Sequence, residues 1–409
     1  MWLYNLGISL YAGGIRLAAL WHGKARLWSE GRRNIFERME AAVRPSDRIV
    51  WVHAASLGEF EQARPIIERL RAEHPEYKIL LTFFSPSGYE IRKNYEGADY
   101  VFYLPADTPS NARRFLDTVH PEIAIFIKYE FWINLLSELR RRKVRSYIVS
   151  AIFRRNSVFF RPYGAMWRQA LETFDTLFVQ NVESKRLLSE IGFDNVVVAG
   201  DTRFDRVAQI AAAAQRVETI ERFRGGGRLF VAGSTWGPDE EILLPLVNAN
   251  PDVKFVIAPH EMDEGRIAHL MRNAKGGAVR YTQCDAATRF DDVQVLVLDT
   301  MGMLSSVYGS ATWAYVGGGF GVGIHNTLEA ATFGLPIAFG PNYGKFKEAR
   351  DMVSLGCAVS VRTAGELAAW FAPLCDDEET LRRASRTAKD YTARNQGATG
   401  IILRSIFNS

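Results

Sequence analysis

Two stretches of the chain hold residue types that could do chemistry. The first is "HAASLGEF", His53 to Phe60, directly after the apolar run "RIVWV". Its Glu59 stands where a helix begins, and a carboxylate there has two uses. It can complement the positive end of the helix dipole, or it can take a proton from a bound substrate; spacing alone leaves both open. The second stretch is "YVGGGFGVGIHNTLEAATFGLPIAFGP", Tyr315 to Pro341. A strand runs into glycines at 317, 318, 319, 321 and 323, and His325-Asn326 opens a helix that carries Glu329. Glycines let a backbone approach a ligand closely, and the free N–H groups of a helix start attract phosphate. The dinucleotide fingerprint GxGxxG fails here, because Val322 and Ile324 stand where its third glycine belongs. "GPNYGKF", Gly340 to Phe346, fails as a P-loop: it is one residue short before Gly344-Lys345 and no Ser or Thr follows. A phosphate site of another kind is expected, with Gly318 and Gly319 among its contacts.

His325 and Glu329 stand four apart on one helix face and could ligate a metal, but no third ligand joins them at a recognisable spacing. Glu329 suits the hydroxyls of a ribose better, so no metal is expected. In "GSTWGPDEE", Gly233 to Glu241, Ser234 and Thr235 are either phosphate ligands or simple helix N-caps. "APHE" (Ala258 to Glu261) and "DTMGML" (Asp299 to Leu304) also follow strand-like runs. Four strand ends are therefore expected at one nucleotide-sized site.

The elements that must position these residues are legible as alternation. Apolar, β-branched or aromatic runs lie at 48–53, 78–84, 122–127, 145–149, 176–180 and 195–199, and again at 228–232, 253–258, 294–298, 312–316 and 336–339. Amphipathic stretches separate them, the pattern of parallel sheets covered on both faces. Between the two series, Gly200 to Gly227 loses the strand pattern and ends in three glycines, which marks a domain boundary. The expected fold is α/β, two Rossmann-like domains facing a cleft, the layout of the GT-B glycosyltransferases.

The chain has 409 residues, 47% of them hydrophobic and 23% charged, enough for large cores and too apolar for general disorder. Its three cysteines, Cys284, Cys357 and Cys375, form no CxxC pair, which fits a reducing compartment. Residues 1–200 carry 28 Lys and Arg against 22 Asp and Glu, and the rest carry 22 against 24, so any anionic partner faces the first half. The runs "RRRKVR" (Arg140 to Arg145) and "FRR" (Phe153 to Arg155) come with no zinc-finger, RRM or KH signature. Anionic lipid or a phosphorylated substrate is expected rather than nucleic acid, with an ordinary solvated helix end as the plain alternative.

The opening segment, "MWLYNLGISLYAGGIRLAALW", is about as long as a hydrocarbon core is thick, though Asn5, Arg16 and its glycines interrupt it. No A-x-A cleavage pattern follows, so it does not read as a removed signal peptide. The cations of "HGKARLW" and "GRR" place the chain after residue 21 on the cytoplasmic side. A spanning anchor, a helix lying in the headgroup region and a buried helix of the first domain all remain open.

The order and spacing of "HAASLGE", "YEFWIN" (Tyr129 to Asn134), "GDTRFD" (Gly200 to Asp205), "GSTW", "DTMG", "HNTLEAA" (His325 to Ala331) and "GPNYGKFKE" (Gly340 to Glu348) resemble the 3-deoxy-D-manno-octulosonic acid (Kdo) transferases over nearly the whole chain. The resemblance implies a GT-B enzyme at the cytoplasmic face of the inner membrane, working in lipopolysaccharide core biosynthesis. It would move Kdo from CMP-Kdo to a lipid A disaccharide precursor of the lipid IVA type, with inversion at the donor's anomeric carbon. No metal or cofactor takes part, CMP-Kdo being a substrate. It implies an anchor and basic flank over residues 1–30, an acceptor-binding domain over 31–204 and a CMP-sugar-binding domain over 205–409 with closing C-terminal helices. CMP contacts are implied at Pro259 and His260, at Met301, Gly302 and Met303, and at Asn326, Thr327, Leu328 and Glu329, and the general base at Glu59. Glu130 is a second acid that could orient the surroundings of Glu59 or the acceptor, or pair with Lys128. Family members often carry Arg at position 260, His at 236 and acids at 303 and 128, where this chain has His260, Trp236, Met303 and Lys128. Arg203 or Lys128 is the expected source of the missing positive charge. Two alternatives stand beside this: a GT-B transferase using a UDP-sugar donor on another membrane lipid, and a membrane-bound nucleotide sensor without turnover.

Overall fold

The computed structural model describes residues 1–408. They form two compact units, one of residues 1–206 that the chain rejoins from Gln396 onwards, the other Val207–Asn395.

The first unit is built on strands β1 (Ile49–Ala54), β2 (Lys78–Phe83), β3 (Tyr100–Tyr103), β4 (Ile123–Ile127), β5 (Arg145–Ala151), β6 (Thr176–Val179) and β7 (Val196–Val198). They make one sheet in the order β3-β2-β1-β4-β5-β6-β7, all neighbours parallel. Every residue of β1, "IVWVHA", and of β4, "IAIFI", is buried, because helices cover both faces. The chain winds one way from β1 to β3 and the other way from β4 to β7. The carboxyl ends of β1 and β4 therefore flank the crevice where such sheets bind ligands.

The second unit repeats the plan with β8 (Leu229–Thr235), β9 (Lys254–Pro259), β10 (Ala278–Arg280), β11 (Val295–Val297), β12 (Trp313–Val316), β13 (Ile337–Phe339) and β14 (Ala358–Ser360). The order is β10-β11-β9-β8-β12-β13-β14, again all parallel, with the reversal between β8 and β12. All eleven expected runs are strands. The structure adds β3, β10 and β14, each at the edge of its sheet.

The chain end departs from the expected division. The last helix, Ala398–Phe407, packs Ile402, Leu403 and Ile406 into the core of the first unit beside Phe60 and Ile66, rather than closing the second. Asp205 caps it, accepting from the N–H groups of Gly397 (2.6 Å) and Thr399 (2.7 Å). The first helix, Trp2–Ala18, likewise belongs to the first unit. Among the described residues no helix is long and apolar enough to cross a membrane.

Candidate active site

In the first unit the turn after β1 leads into the helix Leu57–Glu73, with Ser56 at its N-cap and Glu59 in its first turn. Glu59 does not cap the helix. Its carboxylate accepts from the Ser56 hydroxyl and lies 3.7 Å from the Lys128 ammonium. Lys128 follows β4 directly, with a left-handed φ of 61° that is costly for a side-chain-bearing residue. It pairs with Glu59 rather than with Glu130. Glu130 takes the Trp132 indole N–H at 2.8 Å and faces Nε2 of His53 at 3.1 Å. His53 is fully buried at the end of β1, and its Nδ1 lies 2.8 Å from the Thr82 hydroxyl. The sequence reading assigned His53 no role. Its signal is a histidine inside an apolar strand, opposite Thr82 in register on β2.

The helix that carries Glu59 is fixed in rotation three residues on. Buried Gln62 donates to Asp201 at 2.8 Å, and the Thr202 hydroxyl donates to the Gln62 carbonyl at 2.7 Å. Arg203, expected as a phosphate contact, instead donates to Asp201 from its backbone N–H (3.0 Å) and Nε (2.9 Å). Burial pushes the Asp201 carboxyl up, but Arg203 and the bonds around it outweigh burial and hold it below the usual range. Both expected extra cations are thus engaged with carboxylates. The basic run at Arg140–Arg142 is likewise a helix end, paired with Glu172, Glu138 and Asp117. Arg155 pairs with Glu190.

In the second unit the ends of β8, β9, β11 and β12, four adjacent strands, carry the expected donor contacts. Trp236 after β8, His260 after β9 and His325 after β12 form a run of rings, with centroids 4.9 Å apart for the first pair and 4.3 Å for the second. Burial first, and then His260, hold the His325 imidazole below its ordinary pKa. Pro259 ends β9, and the His260 N–H donates to the Thr235 carbonyl at 2.9 Å. Asn326, Thr327 and Leu328 lead into the short helix Leu328–Thr332, which begins later than expected; the Leu328 N–H is taken by the Asn326 side chain at 3.1 Å. Glu329 is half-buried and accepts from the Asn326 amide and the Ser305 hydroxyl, each at 3.0 Å. Met301, Gly302 and Met303 form an open turn after β11, with Met301 exposed and Gly302 at φ 84°.

The glycines serve close packing of the backbone. A Cβ on Gly318, at φ 90°, would stand 2.6 Å from the Gly323 carbonyl, and one on Gly319 would stand 2.6 Å from Gly340. The Gly318 N–H is occupied by Asp239 (3.0 Å), a buried carboxylate that also accepts from the Trp236 N–H (2.9 Å) and the Tyr315 hydroxyl (2.7 Å). The Thr235 hydroxyl is likewise occupied, donating to buried Glu240 at 2.9 Å. Neither Ser234 nor Thr235 caps the following helix, whose N-cap is Trp236; Ser234 has a left-handed φ of 54°. Among the described residues no three His, Cys, Asp or Glu side chains cluster as metal ligands.

Comparison with known proteins agrees with this layout. Residues 32–206 match the family model described as 3-deoxy-D-manno-octulosonic-acid transferase (kdotransferase). Proteins named 3-deoxy-D-manno-octulosonic acid transferase are similar over both units. That of Haemophilus influenzae is 25% identical over 88% of this chain and 86% of its own. That of Bordetella pertussis is 28% identical over 87% and 86%. In structure, the UDP-GlcNAc 2-epimerase of Neisseria meningitidis aligns with a TM-score of 0.62 at 16% identity, over 88% of this chain and all of that one. Acinetobacter baumannii MurG aligns at 0.55 and 13%, over 89% and 100%, so the fold is GT-B-like. The chain is thus similar to 3-deoxy-D-manno-octulosonic-acid transferases, by the family model over residues 32–206 and by the named relatives over most of its length.

Proposed function

We propose that this chain transfers Kdo from CMP-Kdo to a lipid A precursor of the lipid IVA type, in lipopolysaccharide core assembly at the cytoplasmic face of the inner membrane. The observation that carries the reading is similarity to Kdo transferases over 88% and 87% of the chain, which reaches into both units. An acceptor hydroxyl attacks the donor's anomeric carbon from the face opposite the CMP phosphate, the C–O bond to phosphate breaks, and the anomeric centre inverts. Glu59 takes the hydroxyl proton. Its place at the reversal of the first sheet, held by Ser56 and beside Lys128 rather than spent on a cap, supports that role. Glu130, steadied by Trp132 and His53, orients the acceptor. In the second unit Glu329 receives the ribose hydroxyls, and the turn of Gly318 and Gly319 with His260 and His325 surrounds the phosphate.

The membrane part of the proposal rests on exposure. Among the described residues, ten of the eighteen exposed large apolar side chains lie within residues 1–27, including Trp2, Leu3, Leu10, Leu20 and Trp21. So concentrated a patch marks a contact surface, and with Lys24, Arg26 and Arg33 beside it a headgroup region fits. Incubating the purified protein with CMP-Kdo and lipid IVA should give a lipid heavier by one or more Kdo units in mass spectrometry. Turnover should be unchanged in EDTA. No product, with thermal stabilisation by UDP and none by CMP, would replace this reading by the UDP-sugar one.

A further inference from the structure

The helix Ile133–Arg142 begins directly after the loop that presents Lys128 and Glu130, and its own N-cap residue, Trp132, supplies no side-chain cap. A helix start leaves its first N–H groups without partners inside the helix, and a buried one must find them elsewhere. Here they come from two distant segments. The Ile133 N–H donates to the hydroxyl of Tyr4 (3.3 Å), and the N–H groups of Asn134 (3.0 Å) and Leu135 (2.9 Å) donate to the carboxylate of Asp107. Tyr4 in turn donates to Asp107 at 2.6 Å, and the Asn134 amide donates to Asn5 at 2.9 Å. Asp107 is 1% exposed, so no water replaces a lost partner. A second link joins the same pair of elements: Tyr11 stacks on Phe84 (6.2 Å between centroids), and Phe84 packs on Trp132 (4.7 Å), the residue whose indole holds Glu130.

The helix Trp2–Ala18 therefore has two faces with different duties. Trp2, Leu3, Leu6 and Leu10 point outward, while Tyr4, Asn5, Ile8 and Ala12 face the first unit. We propose that Tyr4 is a positioning residue for the transfer reaction: together with Asp107 it caps the Ile133–Arg142 helix from outside and so fixes the loop that carries Lys128 and Glu130. The assignment rests on the functional reading above. It goes beyond that reading by making the first helix part of the acceptor site and not merely its attachment to lipid.

The test compares full-length Tyr4→Phe with wild type, using detergent-dispersed lipid acceptor so that vesicle binding is not needed. Loss of the hydroxyl should lower kcat about tenfold while CMP affinity and acceptor KM stay within twofold, because the loop is misplaced and no substrate contact is lost. Hydrogen exchange at the amides of Ile133 to Leu135 should quicken at least tenfold. Asp107→Asn, which keeps the size of the side chain, should shift both readouts in the same direction. Leu3→Ser with Leu10→Ser, on the outward face, should weaken vesicle sedimentation and leave exchange at 133–135 as in wild type. A Tyr4→Phe protein with kcat within twofold of wild type, or with unaltered exchange at these amides, overturns the assignment. A wild-type protein that makes no Kdo product removes the functional reading and this assignment with it, whereas an active wild type matched by Tyr4→Phe removes this assignment alone.

Discussion

The carboxyl ends of the two sheets are built from different materials. In the first unit the side chains beyond the strand ends are ionic or proton-carrying and arranged in pairs: Glu59 with Lys128 and Glu130 with His53 at the reversal, and Asp201 with Arg203 after β7. In the second unit the expected donor contacts include no lysine or arginine, and the surface there consists of rings, glycine turns and one half-buried carboxylate, Glu329. Arg266, a cation that lies over the Trp236 ring, is tied to Glu240 and the Thr235 carbonyl. A site that moves protons needs groups whose charge can change, whereas a site that holds a leaving nucleotide needs fixed dipoles and flat surfaces. The same α/β plan has thus been finished in two ways.

Glu59→Gln should break this contrast most severely. It keeps size and leaves the Lys128 side, but the amide cannot take a proton, so transfer should slow by roughly 10²–10⁴-fold. CMP affinity should hold, and stability should fall by no more than about 1 kcal/mol, the worth of a charge in a helix first turn. Transfer within a few-fold of wild type, measured by product mass, would return Glu59 to the role of a dipole partner. Glu329→Ala tests the other unit. It removes a charged acceptor from the proposed ribose contacts and should weaken CMP binding by about 1.5–3 kcal/mol in calorimetry, with the fold intact. Unchanged CMP affinity would mean that Glu329 only orders Asn326 and Ser305.

How far the sequence foretold these sites follows from the physics of each element. Ten of the eleven legible runs are central strands, which are continuous apolar stretches; the eleventh, β7, is an edge strand that was legible because its three residues are all valine. The other edge strands, β3, β10 and β14, were not, because they are short and incompletely buried: β10 and β14 have three residues each, and β3 is half exposed at Tyr100 and Val101. The return of Ala398–Phe407 to the first unit was invisible because an amphipathic helix has the same pattern whichever sheet it covers. Glu59, Glu130 and Lys128 could be named from their motifs, but their pairing depends on where a residue at φ 61° aims its side chain, which no periodicity encodes. The glycines of Gly317–Gly319 read as room for a ligand, and the structure shows that they also let three backbone segments meet.

The smallest expected effect sharpens the contrast through acid. Asp201 and Asp239 are both buried carboxylates that brace a site, but their partners differ in charge. Asp201 is opposed by burial and held low by Arg203, so it stabilises the first unit above the unfolded aspartate pKa, near 3.9, and that contribution disappears as pH falls through its lower folded value. Asp239 has only N–H and O–H donors, and burial dominates, pushing its carboxyl up. Its folded-state proton therefore favours the second unit at low pH, and this is lost as pH rises through the raised value. Asp201→Asn should cost about 1–3 kcal/mol at pH 7, with the gap to wild type closing below about pH 4. Asp239→Asn should cost less than about 1 kcal/mol at pH 7, since the Tyr315 hydroxyl can turn to accept from the new amide. Its gap should widen toward acid instead, where wild type alone gains a proton on folding. Exchange protection in β4 for the first variant and in β12 for the second, followed from pH 7 down to about pH 2, reads each unit separately. Gaps that move in the same direction would mean that the two carboxylates, and the two sheet ends they brace, are held by the same electrostatics after all.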